Sequence, residues 1–228
     1  MGSASNGQFN GWNPNLHYYF RRARGFFDIV AYKGDGSSTS FSHNLGVTPE
    51  LKIIKIRDDA YGWLVGGSVV TGGTNDYQLY LYSVDARANT NYWGAVDSAS
   101  AFSVVASNFL SNANGHEYIA YLFATVAGIS KVGSYTGTGS TLNVDCGFSA
   151  GARLVIIKRV DSTGNWYVYD SVRGIVAGND PYLVFNATSA EVTSTDYIDP
   201  LSSGFTITSS APADLNNAGG TFIFLAIA

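Results

Sequence analysis

The sequence predicts an all-β protein built from two tandem antiparallel β-sandwiches, jelly-roll-like in size, with a short N-terminal arm. Three observations predict this fold class. Aromatic residues make up 14% of the 228 residues and glycine occurs 26 times, a composition that suits pleated strands joined by turns. No window repeats apolar residues at helical spacing over a dozen positions. Finally, one segment of the chain recurs 103 residues later, which indicates an internal duplication.

The repeat is clearest between residues 32–65 and 135–168, where 11 of 34 positions are identical without a gap. Both copies contain Tyr-x-Gly-x-Gly-Ser, then Leu-x-Ile-Ile-Lys, then an aspartate and a tryptophan. The period exceeds that of solenoid repeats and matches a small domain. It predicts an arm at 1–25, one sandwich at 26–126 and another at 127–228. A single larger sandwich with internal pseudo-twofold symmetry is the alternative.

In the first repeat, turn-forming residues separate short apolar or alternating segments, which is typical of strands. The predicted strands are 27–32, 40–42, 51–57, 63–65, 78–83, 101–105 and 118–123. The third and fourth of these form a hairpin around the turn at 58–62.

The second repeat follows the same order. Its predicted strands include 154–160, 166–169, 182–185, 205–208 and 221–227. The last of them is so apolar that we expect it to be central and buried.

The arm changes from a Gly-, Ser- and Asn-rich start to an aromatic and basic end. Exposed aromatic side chains are costly in water, so we expect the arm to pack on its own repeats or on another subunit. A capping strand on the first repeat is the alternative. The candidate subunit contacts are Trp12, Tyr18, Tyr19, Phe20, Arg21 and Arg22.

Charge and composition exclude several classes of function. The net charge is −4 and the one basic cluster, at 21–24, is small, so we expect no nucleic-acid binding. The most apolar stretch, at 118–129, is too short to span a bilayer, so we expect no membrane insertion. Cys146 is the only cysteine, which excludes an intrachain disulfide. Residues 1–11 lack the apolar region of a signal peptide, which predicts synthesis in a cytoplasm.

Residue types that perform catalysis are scarce. His17, His43 and His116 have no counterparts in the other repeat and are not spaced as zinc ligands. Residues 34–37 (Gly-Asp-Gly-Ser) precede a strand rather than a helix, which favours a hairpin turn over a phosphate-binding loop. We therefore expect no enzyme, no catalytic residue, no cofactor and no metal.

Carboxylates leave two alternatives open. A glycosidase needs two carboxylates across a cleft, and a calcium site needs several oxygen ligands. Aspartates at the head of a turn more commonly cap backbone amides, which is the favoured interpretation. The carboxylates concerned are Asp58, Asp59, Asp161, Asp196 and Asp199.

Aromatic residues are the candidates for ligand binding. Trp63 and Trp166 occupy equivalent positions in the two repeats, which favours core packing over sugar stacking. Aromatic residues in loops of one repeat only are better candidates, because function is commonly added to loops on a shared scaffold. These unrepeated residues are Tyr77, Tyr80, Tyr82, Tyr92, Trp93, Tyr182 and Tyr197. Five of them are the candidate ligand contacts: Tyr77, Tyr80, Tyr92, Trp93 and Tyr197.

Several segments after Phe20 carry a resemblance to a known family. They are residues 20–32, 43–50, 132–140, 156–159, 161–166, 201–205 and 216–221. These segments resemble bacteriophage tail and virion proteins that carry a poorly characterised, duplicated, β-rich repeat domain. Such domains are common in long proteins of phages that infect cyanobacteria and other aquatic bacteria. The family has no known catalytic residues, so the resemblance implies none here.

The resemblance implies a virion structural protein, made in the host cytoplasm and located in the tail as a fibre, adhesin or baseplate-associated component. A capsid decoration or cement protein is the alternative, and a carbohydrate-active enzyme is a third. The expected partners are other tail or capsid subunits, a host-surface glycan, and further copies of the chain. A trimer is the expected oligomer, because symmetric particles present cyclic sites.

Overall fold

The computed structural model describes residues 18–72, 77–90, 92–106 and 108–228, and these are nearly all strand and turn, as predicted. The first half contains β1 (Phe27–Lys33), β2 (Thr39–Ser42), β3 (Leu51–Ile56), β4 (Trp63–Gly66), β5 (Tyr77–Tyr80), β6 (Ala88–Asn89), β7 (Ala101–Val104) and β8 (Glu117–Phe123). The second contains β9 (Ser130–Thr136), β10 (Leu142–Asp145), β11 (Leu154–Arg159), β12 (Trp166–Asp170), β13 (Leu183–Val184), β14 (Ile198–Leu201), β15 (Gly204–Ile207) and β16 (Thr221–Ile227). Two four-residue helices, α1 (Ser68–Thr71) and α2 (Ala213–Asn216), were not predicted.

The two halves place their strands in the same order and register. The large sheet of the first half runs β1-β8-β3-β4-β5-β6, and that of the second runs β9-β16-β11-β12-β13. In each half the last long strand lies between the first and third strands, so β16 is central and buried, as predicted. A small sheet accompanies each large one, β2-β7 in the first half and β10-β15-β14 in the second. The origin of this correspondence in a duplicated ancestor, and the boundary at residue 126, stay predictions.

Within the described residues, four sheets stack as layers around three apolar clusters. One cluster, around Phe102 and Tyr118, lies between the two sheets of the first half. A second, around Phe205 and Phe222, lies between the two sheets of the second half. The third lies between the two large sheets and draws residues from both halves. Each half is thus a β-sandwich, and each large sheet is covered by apolar contacts on both faces.

The repeated Tyr-x-Gly-x-Gly-Ser segment is a structural turn. Tyr32 donates its hydroxyl proton to the Ser111 carbonyl, and Tyr135 does the same to the Leu215 carbonyl, both at 2.7 Å. The glycine two residues later leaves no room for a side chain. A Cβ at Gly34 would lie 2.3 Å from a backbone carbonyl oxygen, and a Cβ at Gly137 would lie equally close to its own. Packing against the turn before the last strand therefore explains this motif.

Equivalent lysines close the two β3–β4-type hairpins. Lys55 donates from Nζ to the Tyr61 carbonyl at 2.6 Å, and Lys158 donates to the Gly164 carbonyl at 2.8 Å. Lys158 also donates to the Val84 carbonyl of the first half, 3.0 Å away. Burial lowers the pKa of Lys158 to about 8.

The equivalent tryptophans differ in depth. Trp166 is buried in the third cluster and donates from Nε1 to the Tyr80 carbonyl of the first half at 3.0 Å. Trp63 is half-buried and stacks on Tyr121 with ring centroids 6.1 Å apart. The predicted core packing is therefore confirmed for Trp166, which joins the two halves.

One cross-strand pair differs between the halves in a complementary way. In the second half, Phe224 lies opposite Gly133, and a Cβ at Gly133 would lie 2.8 Å from the Phe224 ring. In the first half, Ala120 lies opposite Val30 at the same register. The larger residue of the pair thus lies on the first strand in the first half, but on the last strand in the second half.

Candidate functional site

The described part of the arm, residues 18–25, contacts both halves of the molecule. Phe20 packs on Phe27 and Phe123 of the first half, with ring centroids 5.4 and 5.6 Å apart. Tyr18 donates its hydroxyl proton to Asp170 Oδ2 of the second half at 2.7 Å. The arm therefore lies across the junction of the two sandwiches.

Tyr18 is held by a small ionic network. Arg173 Nη2 lies 2.7 Å from Asp170 Oδ2 and donates to the Tyr18 hydroxyl at 3.0 Å. Burial, together with the hydrogen bond to Asp170, raises the pKa of the Tyr18 hydroxyl well above its usual range. The phenol stays protonated at neutral pH and acts as an anchor.

Arg22 is attached to the first half through Asp28. The Arg22 Nε donates to Asp28 Oδ1, and the backbone amides of Ile29 and Asn44 donate to the same carboxylate. Burial of Asp28 acts to raise its pKa, but these hydrogen bonds outweigh it and lower the pKa. Asp28 therefore remains charged and ties the arm to β1.

An open groove of about 680 Å³ runs beside these anchors, and we call it the arm groove. It is lined by residues 18–23 together with Phe26, Leu154 and Ile227. Tyr19 is 90% exposed at its edge. Five of the six candidate subunit contacts therefore line one surface, and the sixth, Trp12, lies outside the described residues.

The candidate ligand contacts occupy two separate places. Tyr80, Tyr92 and Trp93 belong to the cluster inside the first half, with Tyr77 next to them in the cluster between the large sheets, whereas Tyr197 packs against the second-half cluster. Trp93 is fully buried and donates from Nε1 to the Tyr77 carbonyl at 3.1 Å. The expectation that Trp93 contacts a surface ligand is therefore wrong. The ring packs on Gly66, where a Cβ would lie 2.2 Å away, and this close fit holds it inside the sandwich.

The other four candidates are half-buried. The Arg87 guanidinium lies 4.7 Å from the Tyr77 ring centroid, and Tyr197 stacks on Tyr182 at 5.8 Å. Burial raises the pKa of Tyr80 to about 12, and a hydrogen bond with Tyr92 adds to the shift. Their role in ligand binding stays a prediction.

A more exposed aromatic surface lies at the tip of the β3–β4 hairpin. Tyr61 and Phe109 are 43% and 48% exposed and stack with ring centroids 5.1 Å apart. The His116 ring meets Phe109 edge to face at 5.7 Å. Tyr82 is 51% exposed and covers Gly62 so closely that a Cβ there would lie 1.9 Å from the Tyr82 ring. We call Tyr61, Tyr82, Phe109 and His116, with Asp58, the hairpin-tip surface.

Charged groups border these rings. Asp58 Oδ1 lies 3.3 Å from His116 Nδ1, and Asp58 Oδ2 accepts the Glu117 amide. Slight burial acts to raise the Asp58 pKa, but these hydrogen bonds outweigh it and lower the pKa. Arg57 and Glu117 pair at 3.2 Å nearby. The surface thus offers flat apolar ring faces together with hydrogen-bonding side chains, both acidic and basic.

Sequence reasoning singled out Tyr82 among the unrepeated aromatics but missed Tyr61 and Phe109. The signal that could have found them is the difference between the two copies. Tyr61 aligns with Gly164, and the turn that carries Phe109 aligns with Pro212 and Ala213. Within residues 127–228, all of which the structure describes, these two aromatic residues of the surface therefore have no counterpart.

Two of the predicted turn-capping aspartates behave as expected. Asp58 accepts the backbone amide of Glu117, and Asp161 accepts that of Thr221, which is the equivalent residue of the second half. A different outcome holds for Asp196 and Asp199. The structure brings both beside Asp180, which the sequence did not single out, with one carboxylate oxygen of each within 4.8 Å of the others.

Comparison with known proteins assigns the chain to a family. The family model described as a domain of unknown function (DUF7483) matches residues 22–228, which span both halves. The chain belongs to this family. No curated protein and no solved structure matches the chain significantly. In the part of the chain that the structure describes, no helix is long and apolar enough to cross a membrane.

Proposed function

We propose that the protein is a structural component of a bacteriophage virion, located in the tail as a fibre, adhesin or baseplate-associated protein that binds host-surface glycans. The observation that carries the binding role is the hairpin-tip surface, a set of exposed and partly stacked rings present in one half only. The virion assignment is supported by the resemblance of seven segments to bacteriophage tail and virion proteins.

The hairpin-tip surface suits a sugar for physical reasons. One face of a pyranose ring is lined by C–H groups, which pack favourably on the electron-rich face of an aromatic ring. Its hydroxyl groups need donors and acceptors at the rim of such a contact, and Asp58 and His116 offer both beside Phe109. Exposed apolar patches rimmed by polar groups are typical of binding sites.

Glycan arrays probed with the purified full-length protein test the binding role. We expect a restricted set of glycans to be retained, and we expect Tyr61→Ala/Phe109→Ala to weaken binding at least tenfold. Both rings are about half-exposed, so the double variant is expected to keep the wild-type circular dichroism spectrum. Phe185→Ala is the matched control, because Phe185 is similarly exposed on the other half. An array without any retained glycan, or equal binding by wild type and double variant, contradicts the proposal.

The arm groove supports a second candidate, a capsid decoration protein. Its aromatic lining and two arginines are the composition expected of a subunit contact. A neighbouring copy of the chain or another virion protein would fit there. Gold-labelled antibody on intact virions separates the candidates: label on the tail supports the attachment role, and label over the head contradicts it in favour of decoration.

A further inference from the structure

Three carboxylates of the second half converge on one point. Asp180 lies in the long segment between β12 and β14, Asp196 lies just before β14, and Asp199 lies within it. One oxygen atom of each lies within 4.8 Å of the other two. Apart from the two-residue strand β13 and one isolated bridge, Tyr182 with Val192, residues 171–197 form no ladder, so this convergence joins a long loop to a sheet.

The three carboxylates receive hydrogen bonds from backbone amides, among them that of Gly178 to Asp199 Oδ1 at 3.4 Å, but no cationic side chain pairs with them among the described residues. Asp180 is fully buried, and its two oxygens accept the backbone amides of Val176 at 3.1 Å and Ile198 at 3.3 Å. Asp196 Oδ1 is buried and has no hydrogen-bond donor among the described residues. No lysine or arginine in the described ranges forms an ion pair with any of the three carboxylates.

A second buried polar group, in the same core as the carboxylates, also lacks a hydrogen-bond partner. Tyr169, in β12, is fully buried, and its hydroxyl has no hydrogen-bond partner in the described chain. The Tyr169 ring packs on Tyr182, which in turn stacks on Tyr197, the neighbour of Asp196, with ring centroids 5.7 and 5.8 Å apart. A buried hydroxyl without a partner calls for an acceptor such as an ordered water.

In the first half, a buried carboxylate is paired with a cationic side chain. There Asp97 lies 2.6 Å from the ammonium group of Lys52, and both side chains are buried. The position equivalent to Lys52 in the second half is Val155. The first sandwich therefore carries its own cation, whereas the second has three carboxylates and no such lysine.

We propose that Asp180, Asp196 and Asp199 bind a divalent cation, and that the cation is Ca²⁺. Calcium prefers carboxylate oxygens, tolerates irregular geometry and completes its six to eight ligands with backbone carbonyls and water. Magnesium is less suitable, because it requires near-ideal octahedral geometry and loses its water reluctantly. The bound ion would attach the loop at 171–197 to β14, and a cation-bound water would give the Tyr169 hydroxyl its acceptor.

Terbium luminescence on the full-length protein tests the site. Tyr197 follows Asp196 directly and stacks on Tyr182, so excitation of these rings should sensitise Tb³⁺ held by the three carboxylates. We expect a saturable signal that Ca²⁺ displaces at much lower concentration than Mg²⁺. Absence of a saturable signal, or displacement by Mg²⁺ as readily as by Ca²⁺, overturns the proposal.

Substitution of the proposed ligands tests whether the ion binds at these three carboxylates. Asp196→Asn/Asp199→Asn is expected to weaken Tb³⁺ binding at least tenfold and to abolish the rise in melting temperature that Ca²⁺ gives the wild type. Both side chains are only partly buried, so this variant does not depend on replacing the fully buried Asp180. Asp145→Asn, an exposed carboxylate of the same half, is the control and should bind as the wild type does. Equal loss in the control, or unchanged binding in the double variant, contradicts the assignment. The readout does not involve glycans, so its outcome is separate from that of the proposed function.

Discussion

Lys52 is a buried residue at which the two similar sandwiches differ, because Val155 occupies the equivalent position in the second. Its ammonium lies 2.6 Å from Asp97 Oδ2 and 4.3 Å from the Trp93 ring centroid, with 0% of the side chain exposed. Burial lowers its pKa, while the charge of Asp97 acts in the opposite direction. A buried pair of this kind depends on both partners, because either charge alone would be very costly in the core.

Replacing Lys52 should therefore be strongly destabilising. We expect Lys52→Met to lower the free energy of unfolding by about 3–5 kcal/mol, since it leaves Asp97 buried without its cation. The control is Arg57→Met, which breaks the half-exposed pair with Glu117 and should cost about 0–1 kcal/mol. Urea unfolding measures both. Equal losses in the two variants would show that the buried pair has no special role.

Lys158 is expected to make the free energy of unfolding vary with pH in the alkaline range. Its pKa is about 8 in the folded protein against 10.5 for an ordinary lysine, because burial disfavours the charged form. Between these values the unfolded chain binds more protons than the folded one, so the Lys158 contribution to stability rises with pH. Relative to Lys158→Met, wild type should gain stability from pH 8 to pH 10. Urea unfolding at several pH values measures this difference, and a flat or falling one would contradict it.

At the scale of elements, the two hairpins are equivalent in sequence but unequal in packing. Trp166 of β12 lies in the shared third cluster, whereas Trp63 of β4 is half-buried. We expect Trp166→Ala to cost about 3–5 kcal/mol, as for other fully buried large side chains, and Trp63→Ala to cost clearly less. Thermal and urea unfolding of the two variants measure the difference. The reverse order would mean that the contact between the large sheets adds little stability.

The strands could be predicted where their residues alternate or repeat. The strands at 51–57 and 166–169 were expected within one residue of β3 and β12, because apolar residues and the repeated turn mark their ends. β14 was not predicted, since it contains Pro200, which cannot donate to a ladder and reads as a turn. It lies at a sheet edge, where proline is tolerated. Helices α1 and α2 are too short to show a helical period.

The candidate sites were less predictable than the strands. Tyr61 could have been found by comparing the two copies, because a glycine occupies its place in the second. The meeting of Asp180 with Asp196 and Asp199 depends on how a long loop folds back on β14, which local sequence does not determine. The burial of Trp93 likewise depends on the glycine across the sandwich, Gly66, rather than on its own neighbours in sequence.

At the scale of the whole molecule, the third cluster makes each half depend on the other. Leu51, Val65 and Phe123 of the first half pack with Ile223 and Leu225 of the second. Backbone bonds add to this contact, as the Arg87 amide donates to the Val160 carbonyl and the Gly164 amide to the Val84 carbonyl. The two sandwiches therefore share a large part of their apolar burial, which favours joint unfolding.

Joint unfolding can be measured by pulse-labelling hydrogen exchange in urea, with peptides assigned to each half. We expect one midpoint for both halves in the wild type. In Trp166→Ala the midpoint of first-half peptides should fall together with that of second-half peptides. Two separate midpoints in the wild type, or an effect confined to the second half, would show that the sandwiches unfold independently.

We expect the exchanged large and small residues on β1, β8, β9 and β16 to disfavour a specific folding error. Since both halves share one register, β1 could pair with β16, and β9 with β8, during refolding; tandem repeats are prone to such misassembly. That crossing would set Val30 against the Phe224 ring and leave Gly133 facing Ala120 across a void. Removing this discrimination by Val30→Gly should increase the fraction of misassembled or dimeric protein after refolding, measured by size-exclusion chromatography. We thus expect steric complementarity at this pair of positions to help the edge strands β1 and β9 pair with their own partners.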